Sequence, residues 1–289
     1  MSATIEELYV KTFTGNMELL LNQGGSILRP LISEQPMTGT GSQIIDQVGK
    51  STTHDMPARG SRTLQHSTPT TSRWAHPKGK YTTETVASPD LMKTLADPTN
   101  KFLQSMANAI GEDVDKEIIR AVTGNAMIGP EGTTSLALPA TQIMPHGSTG
   151  MTMSKLRKIR TKFKKADVDM KKDPVTIVLS PDQMEDLFTA VEIGSKDYNP
   201  VAALYYGEVD MYLGMRFVES NLLPKSGTTR TCVAFSASAI TLGIWEGIFG
   251  RVTELPEQHY ERLLYIRKFY GASRTEELKV QSIGCTEAA

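Results

Sequence analysis

The segment that most constrains this chain is "ADPTNKFLQSMANAIGEDVDKEIIRAVTG", residues 96–124. Asp97 is a favourable N-cap, Pro98 suits the first helical position, and Gly124 follows the last periodic residue. Phe102, Met106, Ile110, Val114, Ile118 and Val122 recur every fourth position and make one slowly drifting apolar face. The pattern predicts a single helix over residues 98–123, about 39 Å long. That is about twice the radius of gyration, roughly 19 Å, of a compact body of this length. An elongated molecule is therefore expected, with the helix as its spine.

Upstream of the spine the chain cannot build a core of its own. Residues 3–22 carry Leu8, Phe13, Met17 and Leu20 near helical spacing and read as a short amphipathic helix, after which residues 23–50 lose any sustained period and read as an extended arm. Residues 51–72, "STTHDMPARGSRTLQHSTPTTS", are rich in Ser and Thr, with only Met56 and Leu64 as sizeable apolar side chains. A stretch of this kind buries too little to order itself. The flanking runs "GSQIIDQVGK" and "SRWAHPKGKYTTETVAS" are expected to be the two legs of a long hairpin around it.

Downstream the texture is α/β. "MTMSKLRKIRTKFKKADV" predicts a helix with Leu156, Ile159, Phe163 and Ala166 on one face. "DPVTIVLSPDQMEDLF" predicts a buried strand followed by a helix, with Ser180 as N-cap, Pro181 at the first position and Gln183 as capping-box partner. "GEVDMYLGMRFVES" reads as strands around Gly214, "TRTCVAFSASAITLGIW" as a strand with a short helix, and the C-terminal region as two β-rich runs either side of Gly271. The fold class is α+β.

Motifs that could carry chemistry are weak. "VGKST" ends like a phosphate-binding loop, but Ile44 stands where the loop needs its first glycine. "GTGSQI" lacks the third glycine of a dinucleotide fingerprint. His54, His66 and His76 have no ligand spacing, and Asp167, Asp169 and Asp173 are interrupted by lysines without a loop glycine. Cys232 and Cys285 form no CxxC pair and sit in no nucleophile signature. No enzyme site assembles, and no cofactor or metal is expected. Lys155, Arg157, Lys158, Arg160, Lys162, Lys164 and Lys165 crowd one helix, which reads either as a phosphate-facing surface or as a solvated face.

Composition narrows the classes further. With 31 Lys plus Arg against 32 Asp plus Glu, the net charge of −1 argues against a surface built throughout for nucleic acid. No run of 18 apolar residues occurs, so no membrane-spanning helix is expected, and the N-terminus lacks a secretory signal. Cysteine usage fits a reducing compartment.

The order of arm, polar hairpin, spine helix, α/β lobe and returning sheet resembles that of the major capsid proteins of tailed bacteriophages with the Hong Kong 97-type fold. The phrases "LLLNQGGSILRPLI", "LADPTNKFLQSMANAIGEDVDKEIIRAVTGNAMIGPEG", "LSPDQMEDLF", "SKDYNPVAALYYGEVDMYLGMRFVESNLLP" and "GASRTEELKVQSIGCTE" also look like one branch of that family, and together they span most of the chain. The resemblance implies a non-enzymatic coat protein that assembles with itself as pentamers and hexamers into an icosahedral head around double-stranded DNA. It would be formed in the host bacterial cytoplasm and reside in the virion. Residues 1–50 would be the arm, 51–85 the extended loop, 86–150 with 256–289 the peripheral domain, and 151–255 the axial domain.

Arg59, Arg62, Trp74, Lys78 and Lys80 are then the expected interface residues of loop and arm. Trp74 is the expected anchor on an adjacent subunit, since its polar segment offers no local core. Phe102, Met106, Ile110, Val114 and Ile118 are the expected packing face of the spine, and Lys155, Arg157, Lys158, Lys162 and Lys165 the basic row facing DNA or solvent. A portal, a separate scaffolding protein and accessory cement proteins are the implied partners, the arm being too short to include the scaffolding segment of some relatives. The isopeptide cross-links of other relatives do not carry over, because no partner asparagine or catalytic acid aligns with Lys78 or Lys80. Two other readings remain: a nanocompartment shell of the same fold, and a DNA-binding protein using the basic helix.

Overall fold

The structure is a computed structural model that describes residues 25–39, 42–48, 51, 53–55, 70–86, 99–189, 211–258 and 261–287. The expected helix at 3–22, and Arg59 and Arg62 in the loop, lie outside the described residues. Among those described, the strands along the chain are β1 (Ser33–Pro36), β2 (Ser42–Val48), β3 (Thr70–Ala75), β4 (Lys78–Val86), β5 (Ala126–Ile128), β6 (Thr134–Leu136), β7 (Ile143–Met144), β8 (Val175–Leu179), β9 (Met211–Tyr212), β10 (Met215–Glu219), β11 (Lys225–Ser226), β12 (Thr229–Ser236), β13 (Ile240–Leu255), β14 (Glu261–Arg274) and β15 (Val280–Thr286). The helices are α1 (Thr99–Thr123), α2 (Met153–Lys165) and α3 (Pro181–Thr189).

Among the described residues three sheets form, in the orders β1-β13-β14-β4, β2-β3-β5-β6 and β7-β15-β12-β8-β10-β9, with β11 added to β12. The third is the centre of the main core. Strand β8, "VTIVL", is buried at every position, as a strand covered on both faces must be. It pairs in parallel with β10 and antiparallel with β12. Leu156, Ile159 and Phe163 of α2 and the second half of α1, through Val114, Ile118 and Val122, belong to the same cluster.

The first half of α1 belongs elsewhere. Met106, Ala107 and Ile110 pack with Leu264 and Ile266 of β14 in a separate small core, bordered by Phe102, Ile248 and Val252. One helix thus runs across two apolar clusters, which explains a face that keeps its period for six turns.

The sequence patterns need four corrections. Strand β2 pairs antiparallel with β3, but the second leg of the hairpin ends at Ala75. After His76 and Pro77 the chain enters β4, which pairs with β14 in another sheet; proline has no N–H to continue the first ladder. Gly271 does not divide two runs but lies inside β14. A Cβ there would sit 2.3 Å from the His76 carbonyl oxygen, so glycine lets the β3–β4 connection press onto the sheet. After β12 the expected short helix is a single 3-10 turn, Ala237–Ala239, but the rest of that segment opens a long strand, β13, which forms an antiparallel hairpin with β14. Finally, Ser180 and Gln183 do not close a capping box. Ser180 Oγ donates to Glu287 Oε1 at 2.5 Å and Gln183 Nε2 to the Thr286 carbonyl at 3.3 Å, because the buried carboxylate at the end of β15 needs donors more than the helix start does.

Candidate assembly surfaces and their anchors

The arm is fastened to the spine by Asp115, a buried carboxylate on α1. It accepts hydrogen bonds from Ser26 Oγ at 2.5 Å and from the main-chain N–H groups of Ile27 and Leu28 at 3.1 and 3.0 Å. Next to it the backbones touch: a Cβ on Gly111 would fall 1.0 Å from the Gly25 carbonyl oxygen. Leu28 is then fully buried in the main core. Just beyond, Arg29 holds Glu34 through two hydrogen bonds at 2.6 and 3.0 Å, and that hydrogen bonding raises the Arg29 pKa.

Lys78 and Lys80 reach the spine of their own chain. Lys78 Nζ lies 3.0 Å from Glu117 Oε2, which Arg120 also holds, and Lys80 Nζ lies 3.4 Å from Asp113 Oδ1. The Tyr270 hydroxyl donates to the other oxygen of Asp113. Burial, joined by that bond, pushes the Tyr270 pKa upward. Trp74 also has a partner within its chain, contrary to the premise that its segment offers none. Its Nε1 donates to the Gly129 carbonyl at 2.7 Å, and its ring lies against Gly132. Sequence inspection missed this contact because β5 and β6, which supply it, are only three residues each.

Two further anchors were not legible in the sequence. Arg274 is fully buried and donates to the carbonyls of Val122 at 3.2 Å, Gly124 at 2.7 Å and Leu136 at 3.1 Å. It places a cation at the end of α1 where the helix dipole is negative. Glu287, also buried, takes Arg230 at 2.9 Å, Lys225 at 3.2 Å and the Ser180 hydroxyl. Burial alone would raise its pKa, but the donors outweigh it and hold the carboxyl at about 2.

On α2 the basic row divides. Lys155 is corrected: it faces neither DNA nor solvent. It is 8% exposed, and its Nζ donates to the carbonyls of His146, Thr149, Gly150 and Gly284 at 2.9–3.0 Å. An ammonium can be buried where carbonyls replace its water. Lys162 Nζ donates to the Thr141 carbonyl at 2.7 Å, and burial lowers its pKa. Arg157, Lys158 and Lys165 are exposed, as are Arg160 and Lys164.

Cys232 and Cys285 are free, buried and on neighbouring strands. Their mutual hydrogen bond raises the Cys232 pKa and lowers that of Cys285. Among the described residues, no group of three or more His, Cys, Asp or Glu could hold a metal, and no helix is long and apolar enough to cross a membrane. The outer face of the β13–β14–β4 sheet is rich in aromatic and arginine side chains. Tyr81, 70% exposed, stacks on Tyr265 with ring centroids 6.0 Å apart, and the Arg267 guanidinium lies 4.4 Å from the Phe249 ring centroid.

A model of the phage capsid protein family matches residues 5–287, nearly the whole chain. The chain belongs to that family. The fold agrees: the capsid structure of the cyanophage P-SCSP1u superposes with a TM-score of 0.72 at 13% identity, covering 92% of this chain and 89% of the other. A Mycobacterium phage Che8 structure gives 0.67 at 17% identity, with 89% and 90% covered. The virus-like particle from Pyrococcus furiosus gives 0.60 at 11% identity, with 95% and 99% covered. A search of curated protein sequences found no match. This capsid protein has the α+β, Hong Kong 97-like architecture expected from the order of its segments. Its anchors, Asp115, Arg274 and Glu287, hold arm, spine and C-terminus in place within one subunit.

Proposed function

We propose that this capsid protein is a non-enzymatic coat subunit that assembles with itself as pentamers and hexamers into an icosahedral phage head around double-stranded DNA. The family match across residues 5–287 carries this reading. Aromatic and arginine side chains such as Tyr81, Phe249 and Arg267 are the types that anchor protein interfaces.

In this reading residues 1–50 form the arm, 51–85 the extended loop with Arg59 and Arg62, 86–150 with 256–289 the peripheral part, and 151–255 the axial part. The pairing of β15 with β12 recommends moving residues 280–287 to the axial side. Assembly takes place in the host cytoplasm with a portal, a separate scaffolding protein and, where present, cement proteins. Electron microscopy of the protein expressed alone, with light scattering on the soluble fraction, tests the proposal. Closed shells, capsomers or tubes support it; a 31.7 kDa monomer that stays monomeric when a scaffolding protein is co-expressed rejects it.

A nanocompartment shell is the second reading, favoured by the likeness to the virus-like particle from Pyrococcus furiosus. Nucleic acid inside purified particles selects the head, and a protein cargo the compartment.

A further inference from the structure

We infer that α2 is the element of the subunit that faces the lumen of the shell, and that its outer arc takes the phosphate backbone of packaged duplex DNA without reading sequence. The inference rests on the shell reading and adds which surface points inward. Helix α2 carries seven Lys and Arg in 13 residues and no acid. Taking those seven from the chain's net charge of −1 leaves −8 on the rest, so the positive field is local to this helix.

The structure sorts the seven by role. Met153, Lys155, Leu156, Ile159 and Phe163 form the buried side of the helix, and the carbonyls around Lys155 and the Thr141 carbonyl on Lys162 fix its seating. Arg157, Lys158, Arg160, Lys164 and Lys165 occupy the opposite arc, with Ser154 and Thr161 as their only exposed companions. Lys171 and Lys172 extend the same sign beyond the helix. Of the acids that follow, Asp173 is engaged by the Ser238 hydroxyl and Lys279, while Asp167 and Asp169 lie past the C-terminal end of the helix.

The chemistry of the arc selects its partner. A protein interface needs a desolvated core of aromatic or aliphatic anchors, and this arc exposes none. Reading sequence takes a surface that enters a groove in register, with Arg or Lys on guanine and Asn or Gln on adenine; the arc has no amide side chain, and its five cations ride on long flexible stems. Long flexible cations on a rigid seat are what a polyphosphate surface takes, through counterion release rather than fitted contacts.

The test is binding of a random-sequence duplex DNA by the full-length chain as a function of salt. An arc that meets four phosphates gives a log–log salt slope of about −3.6, a loss of roughly 150-fold between 50 and 200 mM salt. The combination Lys158→Glu, Arg160→Glu and Lys164→Glu should bring the slope to about −1 and the loss to about fourfold. Lys158→Arg, Arg160→Lys and Lys164→Arg together should restore it. Equal charge reversal at Lys116, Arg251 and Arg262, exposed on the spine and the sheet beside it, should leave the slope steep. A folded triple-Glu variant with the wild-type slope overturns the inference, as does tighter binding of polyglutamate than of DNA. Microscopy of the same samples separates the two readings. Shells whose DNA binding ignores the arc defeat this inference alone; steep, arc-dependent binding by a chain that stays monomeric even with a scaffolding protein co-expressed upholds the arc and removes the coat reading.

Discussion

The carboxylate of Asp115 on the spine helix accepts the main-chain N–H of Leu28, which lies 87 residues earlier in the chain. With the Ile27 N–H and the Ser26 hydroxyl it completes a three-donor clasp that fastens the arm to the spine. Asp115→Ala leaves two main-chain donors without their charged partner and should cost about 3 kcal/mol. Gly111→Ala should release the same contact by steric means, because its methyl would overlap the Gly25 carbonyl. Hydrogen exchange of residues 26–31 checks both. Unchanged protection there would remove the clasp from the account.

Trp74→Ala should destabilise the isolated subunit by about 2–4 kcal/mol, since it deletes a packed indole and the Nε1 bond to Gly129. Urea unfolding of the unassembled chain measures it. Full subunit stability combined with lost assembly would instead make Trp74 an anchor between subunits only.

Arg274→Met keeps the volume but strips the donors from the carbonyls of Val122, Gly124 and Leu136. The expected loss is about 3 kcal/mol, with fraying of the last turn of α1 visible as faster exchange of its amides. Substitution by Lys should recover only part, because one ammonium cannot reproduce the forked geometry.

Glu287 makes stability depend on acid pH. Its folded pKa is about 2 against an ordinary 4.5, so its contribution is full above about 4.5 and disappears as pH falls towards 2. The shift corresponds to about 3 kcal/mol. Glu287→Gln should lower stability at pH 7 and flatten the acid limb in chemical unfolding between pH 5 and 2. A variant with the wild-type acid limb would assign the sensitivity to other carboxylates.

Lys268 weakens the fold at pH 7 where Glu287 strengthens it. It is 3% exposed, and burial, aided by the nearby Arg29, pulls its pKa from 10.5 down to about 8. The unfolded chain therefore binds the extra proton between pH 8 and 10.5, and stability rises with pH across that window. Lys268→Met should stabilise the subunit at pH 7 by up to about 3 kcal/mol and abolish the alkaline rise. Equal destabilisation at pH 7 and pH 10 would show that the aliphatic stem, rather than the charge, matters at this site.

How much of this was legible depended on whether the signal was local. Gly124 marks the end of the spine and four-residue spacing its face, so α1 and the buried side of α2 follow from neighbours in sequence, while the expected cap at Asp97 and Pro98 lies outside the described residues. Lys155 looks like every other lysine of its row; only carbonyls from residues 146–150 and 284 distinguish it. Ser180 and Gln183 obey the capping pattern, but Glu287, 107 residues after Ser180, draws the serine away. The β13–β14 hairpin was obscured because register shifts near Glu246 break the alternation that would have revealed it. Pro77 did carry the information that the second hairpin leg is two strands, and weighing it as a ladder terminator would have separated them.

The two apolar clusters along α1 give the subunit a property beyond strength. Helix α1 and strands β13 and β14 all cross from one cluster to the other, and at the crossing stand Gly111, the β13 irregularities near Glu246, and Gly271. Each half keeps its own apolar partners on its own side of this level, and Met37, Ala75 and Trp245 pack beside it. In the proposed coat, chemically identical tiles sit in surroundings of unequal curvature, and each would be met by the same two separately packed halves.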